Sequence, residues 1–318
     1  MMDCTDRHCR YFLRLVAPRV RLYTEMITIG ALQFGNVPRH LDFDPAEHPV
    51  ALQLGGSDPH ALAYGARLGE AWGYDEINLN VGCPSERVQT GAFGACLMAE
   101  PALVADCVRA MRDAVALPVT VKHRIGIDAV EDYDFVRDFV GTVAQAGAGA
   151  FIVHARNAIL KGLSPKQNRE IPPLKYEYVH RLKRDFPELT IVINGGFADH
   201  AAISAELSQV DGVMLGRAAY HNPYLLAEAE EYAFGVAAPQ RTRAEIAEAL
   251  VPYAEAQLAR GASLRAIARH VLGLYHGASG ARAWRRMLSD AALLQSSGPE
   301  LFLAELREVE PAAAEAAD

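Results

Sequence analysis

Along the first 215 residues, seven apolar runs of strand length alternate with segments of helical period, and that alternation dictates a parallel sheet. The runs are 22–29, 50–54, 76–81, 119–123, 150–154, 190–194 and 212–215. Parallel strands need a crossover between them, and the stretch 102–115 shows its type. There Leu103, Val104, Cys107, Val108, Met111 and Val115 fall on one helical face. Short polar or glycine-rich elements follow each run, which favours a barrel over an open doubly wound sheet. The expected fold is α/β, a (β/α)8 TIM barrel with its first strand truncated. Residues 5–16 resemble the helix that would follow that strand, with Thr5 as N-cap.

The alternation stops around residues 235–243, where a polar connector containing Pro239 leads into helical sequence. Helices are expected over 243–260, 263–274 and 280–294, with Gly261, Gly277 and Gly280 as breaks. Two domains follow: a barrel over 1–236 and a small helical bundle over 237–318. The tail from Glu305 onward is acidic and rich in alanine.

With 318 residues and 51% hydrophobic content, the chain can bury a full core. No apolar run is long enough to span a membrane and no signal-peptide pattern opens the chain, so a cytoplasmic protein is expected. Five cysteines without a C-x-x-C pair argue against a disulfide framework and against a metal site. A net charge of -8 argues against indiscriminate coating of nucleic acid, yet six arginines (260, 265, 269, 282, 285 and 286) share a stretch free of Asp and Glu. An anion-binding face on the C-terminal part is the consequence.

Chemistry in such barrels gathers at the C-terminal ends of the strands. The segment 76–85, Glu-Ile-Asn-Leu-Asn-Val-Gly-Cys-Pro-Ser, is a strand that delivers Cys83 onto a proline-fixed loop, with Gly91, Gly94 and Cys96 beyond it. Asn194-Gly195-Gly196 and Gly216-Arg217 end two successive strands, where backbone amides without side chains can approach a phosphate. Lys122 and His154 are polar residues closing apolar strands. They read either as a salt-bridged lysine and a hydrogen-bonded core histidine, or as groups facing an electron-rich ring and a phosphate or ribityl oxygen. Gln53 joins the same ring of strand ends and could donate to a heterocycle's carbonyl.

These residues, with Leu-Tyr-Thr-Glu-Met at 22–26, Val-Thr-Val-Lys at 119–122, His-Ala-Arg at 154–156 and Gly-Leu-Ser-Pro-Lys-Gln-Asn-Arg-Glu-Ile-Pro-Pro at 162–173, resemble the tRNA-dihydrouridine synthases, most closely their A class. The likeness covers nearly the whole chain. It implies an enzyme that uses FMN, with NADPH as reductant, to reduce the C5–C6 double bond of uridine in the tRNA D-loop, at position 20 or 20a. It also implies that Cys83 is the acid that protonates C5; a thiol in water titrates near 8.5, which suits proton donation at neutral pH. The implied FMN site comprises Met1, Met2, Gln53, Lys122, His154, Asn194, Gly195, Gly196, Gly216 and Arg217. Asn80 would face the target base, and Lys166, Arg169, Arg282 and Arg285 would contact tRNA. Arg282 and Arg285 lie three apart on an expected helix, hence on one face. A monomer that binds neither membrane nor DNA is expected.

The departure from the family is at the N terminus, where this chain opens at Met-Met-Asp, with Cys4 where a tryptophan is usual. The expectation is a start placed downstream of the true one. Two other readings stay open: a flavin barrel acting on a free pyrimidine, as in dihydroorotate dehydrogenase-like proteins, and a truncated tRNA-binding protein without catalysis.

Overall fold

Six of the seven apolar runs form single strands, and the first forms two short ones. The computed structural model describes residues 1–85, 88, 91–130 and 132–304. The strands are β1 (Leu22–Tyr23), β2 (Ile27–Thr28), β3 (Val50–Gly55), β4 (Glu76–Val81), β5 (Val119–Arg124), β6 (Ala150–His154), β7 (Thr190–Asn194) and β8 (Gly212–Met214). They pair in the order β1-β3-β4-β5-β6-β7-β8, with β2 alongside β3, and the registered pairs are all parallel. Helices run between the strands, as in Pro59–Ala71, Pro101–Ala114, Tyr133–Gln145 and Tyr176–Asp185. This is the sheet and helix alternation of a (β/α)8 TIM barrel, followed by a helical region. Among the described residues β1 and β8 are the unjoined ends of the sheet, and Met1 Sδ lies 3.4 Å from where a Cβ on Gly216 would stand.

The run 22–29 is a correction to the expectation of one strand. Thr28 accepts a hydrogen bond from Ala31 N and so caps the helix Ile29–Phe34, which takes Ile29 out of the ladder. At the N terminus the cap is Asp6 rather than Thr5. Its carboxylate accepts from His8 N and Cys9 N, both at 3.0 Å, and a carboxylate outbids a neutral hydroxyl at a helix N-terminus. The expected helix 280–294 is two, Ala281–Met287 and Ala291–Ser296, because Asp290 caps the second.

By contacts the chain divides into two units: Met1–Met2, Tyr23–Phe43 and His48–Gly216 in the first, and Asp3–Leu22, Asp44–Glu47 and the chain from Arg217 in the second. By contacts the first unit ends at Gly216, and the helix Arg7–Val16 groups with the helical unit. The reason lies in what that helix touches. Tyr11 stacks on Tyr253 with centroids 3.7 Å apart, His8 Nδ1 lies 2.8 Å from Tyr253 OH, and Asp6 pairs with Arg269 and His270 at 2.8 and 3.0 Å. The core of this unit is apolar, with Trp284, Ile267, Val271, Leu250 and Phe302 all buried. The acidic tail from Glu305 lies outside the described residues.

One charge pair of the second unit is fully enclosed. Arg10 Nε meets Glu47 Oε2 at 2.6 Å, with side-chain exposures of 5% and 0%. Burial raises the Glu47 carboxyl more than Arg10 lowers it, and the balance stands at about 7. A folded value above the ordinary carboxylate one means that the ionised form is a liability, relieved as pH falls through about 7. Arg10→Met is therefore expected to lower the unfolding free energy by about 3–5 kcal/mol at about pH 8. Urea melts at about pH 5.5 should show a smaller loss, because Glu47 then carries a proton.

Candidate active site

The C-terminal ends of β3 to β8 carry the polar residues singled out in the sequence. Strand register explains how they meet: Gln53 is opposite Asn78, Asn80 is opposite Lys122, and His154 is opposite Asn194. Inward and outward side chains alternate along each strand, so these polar positions share the interior face. Lys122 Nζ reaches across to Asn194 Oδ1 at 3.2 Å, and Asn194 Nδ2 donates to Met214 O at 2.8 Å.

Neither bland reading of Lys122 and His154 describes what is seen. Among the described residues Lys122 has no carboxylate partner, and the His154 ring makes no hydrogen bond. Burial, reinforced by the nearby Arg124, pushes the Lys122 ammonium down to about 8. Burial and then the charges of Arg124, Lys122, Arg156 and Arg169 hold His154 well below its ordinary value, so the imidazole is neutral at pH 7. A lysine with hydrogens to spare beside a histidine ringed by cations is a site made to receive negative charge.

Cys83 follows β4 on a loop whose turn is held from both sides. Asn80 Oδ1 accepts from Gly82 N and Cys83 N, each at 3.0 Å, and Ala95 N donates to Cys83 O at 2.9 Å. Gly94 makes the second contact possible: at φ +78° a Cβ there would lie 2.6 Å from Cys83 O. The thiol is half-buried. Gln53 Nε2 donates to Asn78 Oδ1 and Gln53 Oε1 accepts from Asn80 Nδ2, both at 2.8 Å. Gln53 and Asn80 are thus each oriented by neighbours, with one amide hydrogen left over on each.

Arg124 escaped the sequence reading. It is 3% exposed at the end of β5, and its guanidinium donates to Gly82 O, Asn157 O and Asn168 O at 3.1, 3.2 and 3.0 Å. Burial pushes it down to about 10. The signal was present, since Arg124 stands two residues beyond Lys122 on the same face. Buried Asn168 in turn bonds Ile159 N and Leu163 O at 2.7 and 3.2 Å and shapes the segment on which Lys166 and Arg169 are exposed.

In the second unit Arg282 and Arg285 are exposed on the helix Ala281–Met287, whose Trp284 and Met287 are buried. Arg269, from the same acid-free stretch, is engaged with Asp6. Arg217 opens the helix Arg217–His221 and is exposed, while Met2 is exposed and Met1 half-buried. Gly195 and Gly196 adopt φ of +123° and +84°. A Cβ on Gly195 would meet His154 Cδ2 at 2.9 Å and Leu174 Cδ2 at 3.0 Å. Gly195→Ala is expected to cost about 1–3 kcal/mol of stability from backbone strain alone, read by denaturant melts.

Comparison with known proteins gives the site its context. The family model described as dihydrouridine synthase matches residues 1–314. A tRNA-dihydrouridine(20/20a) synthase of Xanthomonas campestris is 56% identical over 301 residues, which is 95% of this chain and 89% of the relative. The protein of that name from Synechocystis sp. is 58% identical, covering 95% of this chain and 90% of its own length. The one from Yersinia pestis is 55% identical, covering 98% of this chain and 90% of its own. On a family match over nearly its full length and relatives at more than half identity, the chain belongs to the dihydrouridine synthase family.

Proposed function

We propose that this chain reduces the C5–C6 double bond of uridine to give 5,6-dihydrouridine in the tRNA D-loop, at position 20 or 20a, with FMN as the bound cofactor and NADPH as reductant. The observation that carries the reading is the convergence of a loop-held thiol, Cys83, with the Lys122 ammonium, which has no carboxylate partner among the described residues, at neighbouring strand ends. The residues fit a flavin: Gln53 keeps an amide hydrogen for a ring carbonyl, Lys122 offers charge to an electron-rich ring, and among the described residues nothing competes for a hydrogen bond to the His154 ring. Gly195 and Gly196, at positive φ, leave backbone amides open to a phosphate. By family likeness Gly216 and Arg217 share that phosphate, and Met1 and Met2 lie along the cofactor.

FMN, when bound and reduced, supplies hydride to C6 of the pyrimidine. Negative charge then gathers at C5 and on the ring carbonyl, and Cys83 gives the proton on its Sγ to C5. Asn80 holds that thiol's loop by its Oδ1 and turns its spare amide hydrogen to the base. A uridine of a folded loop must be splayed out to reach this depth, so contacts to the RNA backbone have to hold the rest of the molecule. Lys166 and Arg169 serve that purpose in the first unit, and Arg282 and Arg285 in the second.

The direct test is dihydrouridine formation on unmodified tRNA with NADPH, read by mass spectrometry, with free uracil and orotate as controls. Cys83→Ala should keep FMN and lose at least about 100-fold in turnover, the range of one positioned proton donor. Full turnover in that variant, or reduction of the free bases without tRNA, overturns the assignment.

A pH dependence follows from Lys122. The ammonium prevails below about 8 and is lost above it, so FMN affinity, read by quenching of flavin fluorescence, should weaken as pH rises through that value. In Lys122→Met the alkaline limb should vanish and affinity stay low throughout. The ligand-free fold responds in the opposite sense, because losing a desolvated charge stabilises it.

A further inference from the structure

Beneath the mouth, β3, β4 and β5 turn polar side chains to the interior, where such barrels ordinarily pack branched apolar ones. Glu76, Asn78 and Asn80 occupy alternate positions of β4 and so share that face. Register sets Gln53 of β3 and Thr120 of β5 beside Asn78. Thr120 Oγ1 donates to Glu76 Oε1 at 2.6 Å, and Asn78 Nδ2 donates to Thr120 Oγ1 at 2.8 Å. The bonds from Gln53 to Asn78 and from Asn80 to Gln53 continue the line, which ends where Asn80 Oδ1 receives the backbone N–H groups of Gly82 and Cys83. Glu76, Asn78, Gln53 and Thr120 are all buried, at 3, 0, 8 and 4% exposure.

Every bond in the line points toward Glu76, and donor bookkeeping explains why. A carboxylate only accepts, and a threonine hydroxyl has one hydrogen. Thr120 commits that hydrogen to Glu76, as Tyr23 does its own at 3.1 Å, so the Thr120 oxygen must accept from the nitrogen of Asn78. The oxygen of Asn78 then faces Gln53, the oxygen of Gln53 faces Asn80, and the oxygen of Asn80 faces the loop. Reversing any one amide would set donor against donor or acceptor against acceptor in a buried place, which is costly.

We propose that Glu76, at the floor of the barrel, is a positioning residue for uridine reduction: through this line it fixes which way the Gln53 and Asn80 amides face, and so seats the loop that carries Cys83. This rests on the reading of the mouth as the site of reduction, so the experiment separates the two. Glu76→Gln keeps the shape but brings a donor to the end of the line, which can then reverse. Thr120→Val breaks the line at its second link. Alkylation of Cys83 by iodoacetamide in FMN-free protein, read on its own peptide by mass spectrometry, reports the seating of the loop without turnover.

The alkylation rate should rise at least about threefold in each single variant and no further in the double variant, the signature of one coupled unit. Thr120→Ser, which keeps the hydroxyl, should return the rate to that of the parent. With FMN restored, kcat on tRNA should fall about tenfold in Glu76→Gln while KM for tRNA stays within about twofold, the pattern of an interaction felt in the reacting state. Should Glu76→Gln not fold, Thr120→Val carries the same measurements. An unchanged rate in Thr120→Val, or single effects that add in the double variant, overturns the proposal. Parent protein that reduces no tRNA while alkylation shifts as described would overturn the functional reading and leave the line standing.

Discussion

The parallel register of β3, β4 and β5 is the constraint on which the site depends. Along a strand, side chains alternate between faces, so a slip of one residue would carry Gln53, Asn80 and Lys122 out of the interior together. What prevents the slip is the other face. Leu52, Leu54, Ile77, Leu79, Val119 and Val121 are essentially inaccessible, and moving them would put apolar bulk inside the barrel and polar groups against the helices. The packing energy of one face thus fixes the chemistry of the other.

Charge at the mouth follows a second rule. The chain is acidic overall at -8, yet the strand ends gather Lys122, Arg124, Arg156 and Arg169 around a neutral His154. Arg124 satisfies its guanidinium with carbonyl oxygens rather than a carboxylate, and Lys122 uses an amide oxygen. A buried cation bonded to neutral acceptors keeps its field, whereas a paired one cancels it. Among the described residues Lys122 and Arg124 are held by neutral oxygens, so the field of these two cations stays directed into the mouth.

The same Arg124 also joins backbone segments that the sequence keeps apart. Gly82 precedes the cysteine, Asn157 follows β6, and Asn168 lies among the exposed cations of the 166–169 turn. Three carbonyls from two connections, held by one rigid, planar group, cannot drift independently. The rigid sheet positions the groups that react, and this guanidinium ties to it the loops that surround them.

Much of the barrel was legible in the amino-acid order, because apolar runs and helical periods are local properties of the chain. Six runs became strands at or within a residue or so of the expected limits, and the residues closing them, Lys122, His154 and Asn194, stood out as polar groups where burial is expensive. The first run misled because Thr28 can either extend a ladder or cap a helix, and pairing partners decide which. Glu76, Thr120 and Arg124 carried a local signal but no visible purpose, since their partners lie 33 to 53 residues away on neighbouring elements. The helix Arg7–Val16 is the extreme case: the partner of its His8, Tyr253, comes 245 residues later, and the partner of its capping Asp6, His270, comes 264 residues later. The sequence by itself determined which segments pair, in what direction, and which side chains reach the strand ends, for those follow from periodicity and from the alternation of faces. Only the tertiary structure decided which amide faces which, which cations stay without a carboxylate, and which unit the first helix joins, because hydrogen-bond direction and charge pairing are set by neighbours in space.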